Sequence, residues 1–491
     1  PCMGRTQPDD RPPHAPMTGV DADAQVNVDP SAGADLIVMA NRLPVRGEEH
    51  DGGWEWTLSP GGLVSALVPV LRAGKGLWIG WAGTTGDTDA VPATHEGIDL
   101  LPVPITQEEY DEFYLGFANA TLWPLYHDAI RPATFDRTWW HAYAAVNERF
   151  AAAAVKSAAP GATVWVQDYQ LQLVPKLLRE RRPDLRIGFF LHIPFPPREL
   201  FLQLPWRREI LEGLLGADLV GFQVPGGATN FSRLARQLLG ATGSGGTVEY
   251  EGRRVHVGAF PISVETSEFD AKANDPVIQG RARELRHELG DPELMLLGVD
   301  RLDYTKGIDR RLRAVGELFA DGTLDPARHV VVQIAVPSRE EDAHYQQERE
   351  QLERLVGELN GEHATVGRAP IHYLHQSVGP EELVALYVAA DIMLVTPLRD
   401  GMNLVAKEYV ASRVDATGAL VLSEFAGAAQ ELRGAILVNP HDLDGLKDAI
   451  CQAIAMPSTE ATARMRRMRR VVRRSDVHEW ARAFLAALRE R

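Results

Sequence analysis

Three short stretches set cations, carboxylates and glycines where the chain leaves an apolar run. Arg301-Leu-Asp-Tyr-Thr-Lys306-Gly307 follows residues 294–299, Thr396-Pro-Leu-Arg-Asp400-Gly-Met-Asn403 follows 392–395, and Asn41-Arg42 follows 35–40. Arg supplies a planar fork and Lys a point charge, so Arg301 and Lys306 on one loop before a helix suit a diphosphate. Taken singly they also read as surface charges. Gly307 beside them, and the recurrence of such residues at the same strand end, favour phosphate. Behind Asp400, residues Met402, Val405, Ala406, Tyr409 and Val410 recur at helical spacing. A carboxylate at that helix start is either an N-cap or a ligand for hydroxyls, beside an anion held by the free helix amides.

These residues need strands to carry them. Strands are predicted over 35–40, 76–81, 162–167, 186–191 and 219–222, with a helix at 63–71 behind Ser59-Pro-Gly-Gly62. A second series is predicted over 294–299, 330–335, 372–374, 392–395, 419–422 and 435–438. Helical patterns between them predict an α/β protein of doubly wound, mostly parallel sheets, in two Rossmann-like domains facing across a cleft. In such sheets ligands bind outside the carboxyl ends of the strands. Arg42, Asp168 and His192 come just past strand ends of the first series. Arg301, Lys306, Arg339, Asp400, Asn403 and Glu424 come past those of the second. Alone, His192 reads equally as a core histidine and Gly61-Gly62 as a plain turn. Phe113, Tyr114, Phe117 and Trp123 read as a packing stripe, although Tyr114 and Trp123 keep polar handles for a sugar or its phosphate. Residues 257–264 read as the passage out of the first domain. The expected division is a disordered tail at 1–34, domains at 35–262 and 263–456, and helices at 457–491 packing back on the body.

Composition narrows the class. The chain has 491 residues, 45% hydrophobic and 24% charged, with a net charge of −16. That is ordinary globular composition and argues against a nucleic-acid surface. Arg464 to Arg474 is basic, but Met465, Met468 and Val472 mark a packed stripe, so its arginines are expected on a solvated face. Cys2 and Cys451 make neither a disulfide framework nor a zinc site, which fits a reducing cytoplasm. No apolar run is long enough to span a membrane, and no signal-peptide pattern opens the chain. His372 and His375 lack partners at metal spacing, so no metal or cofactor is expected. Asp321-Gly-Thr lacks the preceding phosphatase nucleophile, because Phe319 stands there, and Asp442-Leu-Asp444 reads as a turn or N-cap.

The motifs Leu191-His-Ile-Pro-Phe-Pro196, Arg301 to Gly307 and Thr396 to Glu408 together resemble the retaining, GT-B type trehalose-phosphate synthases, from about residue 35 to 488. The resemblance implies transfer of glucose from a nucleotide-diphosphate glucose (UDP, ADP or GDP) to glucose 6-phosphate. It implies an acceptor-phosphate site of Arg42, Tyr114, Trp123 and Arg339. It implies a donor-nucleotide site of Gly62, Arg301, Lys306, Asn403, Leu404 and Glu408. His192 and Asp400 would contact the donor glucose, and Asp168 the sugars at the reacting centre. Many members carry histidines around that aspartate; here the run is Gln167-Asp168-Tyr169-Gln170. A homo-oligomer, dimer or tetramer, is expected. So is a separate chain for any later phosphatase step.

Chemically, Arg301, Lys306 and the helix amides would stabilise the leaving diphosphate. The sequence offers no evident pair of carboxylates spaced at about 5 Å for a double displacement. The expectation is therefore front-face transfer in a closing cleft. Transfer to another phosphorylated or polyol acceptor is the nearest alternative, and a catalytically dead nucleotide-sugar sensor is a different class.

Overall fold

The computed structural model describes residues 33–491, apart from 51–52, 60–61, 73–75, 87, 89, 340–342 and 491. The expected tail therefore lies almost wholly outside the described residues. Residue 34 already belongs to the first strand, Ala34–Arg42.

The first sheet has nine strands. Its parallel middle runs Arg253–Ala259, Leu219–Phe222, Arg186–Leu191, Ala158–Gln167, Ala34–Arg42, Gly76–Trp81 and Ile98–Pro102. Antiparallel strands Thr247–Tyr250 and Thr94–His95 close its edges. The second sheet is wholly parallel: Ile371–Leu374, His329–Val336, Leu294–Arg301, Ile392–Val395, Ala419–Ser423 and Ile436–Val438. Its runs are mostly apolar because helices cover both faces, with Gln333 and Asp300 as buried polar exceptions.

Both sheets reverse their strand order once. In the first, the chain grows one way from Ala34–Arg42 through Gly76–Trp81, then returns to the other side with Ala158–Gln167. In the second, the reversal lies between Leu294–Arg301 and Ile392–Val395. Such switch points leave a crevice at the carboxyl ends of the two flanking strands. Arg42 and Asp168 lie at the first crevice. Arg301, Lys306 and Asp400 lie at the second.

One reading is corrected. Residues 257–259 belong to strand Arg253–Ala259, so the passage to the second domain starts at Phe260. The stretch Tyr110–Leu122 is wound as a π-helix, and the Trp123 N–H donates to the Ala118 carbonyl, five residues back. Phe113 and Phe117 are fully buried, as a packing stripe requires, whereas Tyr114 is half-buried at its margin.

The last helix, Val477–Arg489, returns to the first sheet. Trp480 and Phe484 lie 5.0 and 4.5 Å from Trp165 by ring centroid. Gly188 and Gly221 make room: a Cβ there would come within 2.8 and 2.6 Å of the Phe484 ring. The basic helix Ser458–Arg474 buries Met465, Met468 and Val472. Arg469 is buried too, pairing with Asp270 at 2.6 Å.

Candidate active site

At the first crevice, a cavity of about 330 Å³ is lined by Asn41, Arg42, Tyr114, Gln167, Asp168 and Gln170, among others. It brings together three of the residues singled out in the sequence. The Arg42 guanidinium lies 4.7 Å over the Trp81 ring. Gly83, at φ +98°, leaves space for it, since a Cβ would stand 2.2 Å from Nη2. Tyr114 stacks on Tyr110 at 5.4 Å. Gly62 opens the helix Gly62–Arg72 beside this cavity, whose wall includes Leu63 and Val64.

Asp168 holds left-handed backbone, φ +71°, and its N–H donates to the Phe190 carbonyl at 2.8 Å. Its carboxylate accepts from the His192 N–H at 3.1 Å. Burial lifts that carboxyl to about 6, against the backbone donors. Burial also drives His192 down to about 3, so its imidazole is neutral at pH 7. Its Nε2–H donates to Gln167 Oε1 at 2.9 Å, which fixes the tautomer. Gln167 thus touches His192 directly.

At the second crevice the charges are already paired. Lys306 Nζ lies 2.6 Å from Asp400 Oδ2, with both side chains nearly buried. Burial would raise Asp400, but Lys306 outweighs it and holds the carboxyl below its usual range. Asp400 is not the helix N-cap. Asn403 is, accepting from the Ala406 N–H at 3.1 Å while its Nδ2 donates to Asp400 at 3.2 Å. The helix begins at Leu404, not at Met402. Gly307 takes φ +63° where a Cβ would stand 2.6 Å from the Thr396 carbonyl, so the turn into the helix Ile308–Ala320 needs glycine.

Arg301 and Arg339 reach back to the first domain. Arg339 lies 4.3 Å over Trp123, and Arg301 lies 5.5 Å over the same ring. Arg339 Nη2 is 3.4 Å from the Tyr169 hydroxyl. Its charge is shared by Asp303 at 3.6 Å. Burial opposes ionisation of Asp303, yet Arg339, Lys306 and Arg301 bring its carboxyl down to about 2. Trp123 and Arg339 thus meet each other and Tyr169, while Arg42 and Tyr114 line the cavity. Glu408 is turned toward Tyr387, whose hydroxyl donates to it at 2.8 Å, and burial raises its carboxyl.

The two crevices touch. A Cβ on Gly401 would stand 2.2 Å from the His192 carbonyl oxygen, so glycine alone permits this approach of the domains. A second cavity of about 250 Å³ is lined from both sides, by Pro194, Phe195, Gly226 and Gly227 and by Arg399 to Gly401.

One residue was missed in the sequence. Arg311 is fully buried and ties the second crevice together. It donates to Asp300 at 2.8 Å, Gln333 at 2.9 Å, Thr396 Oγ1 at 3.1 Å and the Lys306 carbonyl at 3.4 Å. The available signal was a charge inside the apolar stripe Ile308, Leu312 and Val315. Among the described residues, no group of three His, Cys, Asp or Glu could hold a metal. No described helix is long and apolar enough to cross a membrane.

The model of glycosyltransferase family 20 matches residues 34–490. A trehalose-6-phosphate synthase of Mycolicibacterium gilvum (strain PYR-GCK) is 57% identical over 488 residues, covering 96% of this chain and 97% of the relative. An alpha,alpha-trehalose-phosphate synthase (UDP-forming) from Burkholderia xenovorans, solved with glucose-6-phosphate, superposes with TM-score 0.83 at 35% identity, over 92% of this chain and 99% of that one. A trehalose-6-phosphate synthase studied with bisubstrate glycomimetics, in work on glycosyl transfer with retention, gives TM-score 0.85 at 34% identity over 93% and 99%. The fold is GT-B, and the chain belongs to glycosyltransferase family 20, as an enzyme of the trehalose-6-phosphate synthase group.

Proposed function

We propose that the enzyme transfers glucose from a nucleotide-diphosphate glucose to glucose 6-phosphate with retention, giving trehalose 6-phosphate and the nucleoside diphosphate. The carrying observation is the contact of the two crevices at Gly401 and His192, which sets the cavity lined by Arg42, Tyr114 and Asp168 against the paired cations Lys306, Arg311 and Arg339. Arg42 and Tyr114, with Trp123 and Arg339, take the acceptor phosphate. Asp168, His192 and Asp400 hold sugar hydroxyls. Arg301, Lys306 and the amides of the helix behind Asn403 take the diphosphate, with Gly62 close to the donor and Leu404 and Glu408 at the nucleoside. As the glycosyl bond breaks, negative charge grows on the leaving phosphate, and Lys306 shifts from Asp400 toward it. The acceptor hydroxyl attacks from the face the phosphate leaves, and the phosphate takes its proton. A relative described as UDP-forming makes UDP-glucose the first donor to test.

We also read the chain as domains 35–262 and 263–456 with residues 457–491 packed across them, and as a cytoplasmic homo-oligomer. Light scattering of the purified protein checks the oligomeric state. Nucleotide release should be followed with UDP-, ADP- and GDP-glucose, with and without glucose 6-phosphate. The reading requires release with at least one donor to depend on the acceptor; release that ignores glucose 6-phosphate with every donor would refute it.

A further inference from the structure

The π-helix that carries Tyr114 runs straight into Trp123–Tyr126 and then into a tight turn at residues 127–131. Asp128 and Ala129 hold left-handed backbone there, at φ +58° and +50°, a conformation that L residues rarely adopt. The turn belongs to the first domain, but its charges face the second. Asp128 Oδ2 lies 3.3 Å from Arg399 Nε. Arg131 Nη2 donates to Glu348 at 2.8 Å, in a pair whose side chains are 25% and 13% exposed. The Arg131 guanidinium also lies 4.4 Å over the Tyr304 ring. Two of these three partners belong to the site loops. Arg399 precedes Asp400, and Tyr304 opens the 3-10 turn that ends at Lys306. One turn therefore grips both loops that carry the Lys306–Asp400 pair. It does so from the end of the same rod that holds Tyr114 and Trp123.

We propose that Asp128 and Arg131 are positioning residues that couple the two substrate sites. By holding the Arg399–Asp400 loop and the Tyr304–Lys306 turn against the acceptor rod, they make ordering of one site favour the other. This rests on the acceptor and donor assignment above. Neither residue is placed against substrate. The Arg131–Glu348 pair, with little solvent screening, anchors the turn to the helix Ala343–His363, and the two site loops are held by the planar Arg131 stack on Tyr304 and by the Asp128–Arg399 pair, whose side chains are 41% and 27% exposed. Coupling between two sites is a free energy that either ligand can report.

The test is calorimetric titration of UDP, ADP and GDP into the full chain, with and without saturating glucose 6-phosphate. Wild type should bind at least one nucleotide at least about 5-fold tighter in the presence of the acceptor. Arg131→Ala and Asp128→Asn should bring that factor below about 2-fold, while the affinity for nucleotide alone changes little. Asp128→Glu should restore part of the coupling. Arg131→Lys should restore less, because it keeps a charge for Glu348 but loses the planar stack on Tyr304. Thermal midpoints near wild type establish that the variants fold. Wild-type binding without coupling, or full coupling retained in both variants, overturns this inference and leaves the substrate assignment standing. If wild type binds neither nucleotide nor glucose 6-phosphate, the substrate assignment falls and this inference falls with it.

Discussion

The two crevices handle polarity in opposite ways. The first is built from aromatic faces, amides and the Asp168 carboxylate around a cavity, with Arg42 laid on Trp81 and a neutral His192 bonded to Gln167 and Asp168. The second is built from charges matched within the protein: Lys306 with Asp400, Arg311 with Asp300, and Arg339 with Asp303. A hexose offers many weak hydroxyl contacts and a shape, which neutral groups and aromatic planes read. A departing diphosphate offers concentrated charge, which needs cations that do not have to be gathered from water. Paired cations can exchange one anion for another.

That contrast predicts larger losses at the second crevice. Arg311→Leu leaves Asp300 charged and uncompensated in the core, so stability should fall by about 3–5 kcal/mol in denaturant titrations. A near-neutral result would mean that the buried network holds nothing in place. Lys306→Ala should lower kcat by about 10²–10³, roughly 3–4 kcal/mol, with both substrates saturating. Turnover close to wild type would remove Lys306 from the leaving-group clamp. Gly401→Ala tests the contact between the crevices. Its methyl group must push the domains apart at the His192 carbonyl, and a misplacement of about 1 Å can cost about 10² in rate. An unchanged rate would show that the observed approach is not the reactive one.

The first crevice should show its character in acid, and the effect should be smaller. Burial raises Asp168 from 3.8 to about 6, so its contribution to stability is full below about 4 and lost as pH rises through about 6. Burial depresses His192 from 6.5 to about 3, so its contribution is full above 6.5 and lost as pH falls. Between about pH 6 and 4 the two oppose, and the histidine shift is the larger. At pH 5.5 the histidine costs about 1.4 kcal/mol, one unit below its unfolded value. His192→Asn should therefore lose less stability than wild type between pH 7 and 5.5, measured by denaturant midpoints. Equal losses would place the titrating group elsewhere.

Much of this was legible in the sequence. The apolar runs at 294–299, 330–335 and 392–395 read as buried strands and are parallel strands, and the residues just beyond them fell at the crevices. Other features were hidden for physical reasons. Asp400 pairs with a lysine 94 residues away, and no local pattern reports that. Asn403 caps its helix from an unusual backbone angle of φ +78°, so Asp400 competed for the role. The π-helix at Tyr110–Leu122 breaks the 3.6-residue period on which aromatic faces are judged. The strand Ile98–Pro102 ends in proline and is short, and the antiparallel edge strands add little apolar signal.

The most direct test is the configuration of the product. Wild-type enzyme should be incubated with the accepted nucleotide-glucose and glucose 6-phosphate, and the anomeric protons followed by NMR from the first turnovers. The account predicts a phosphorylated disaccharide in which the transferred glucose keeps the α configuration of the donor. A β-linked product, or nucleotide release with no disaccharide phosphate formed, would contradict it.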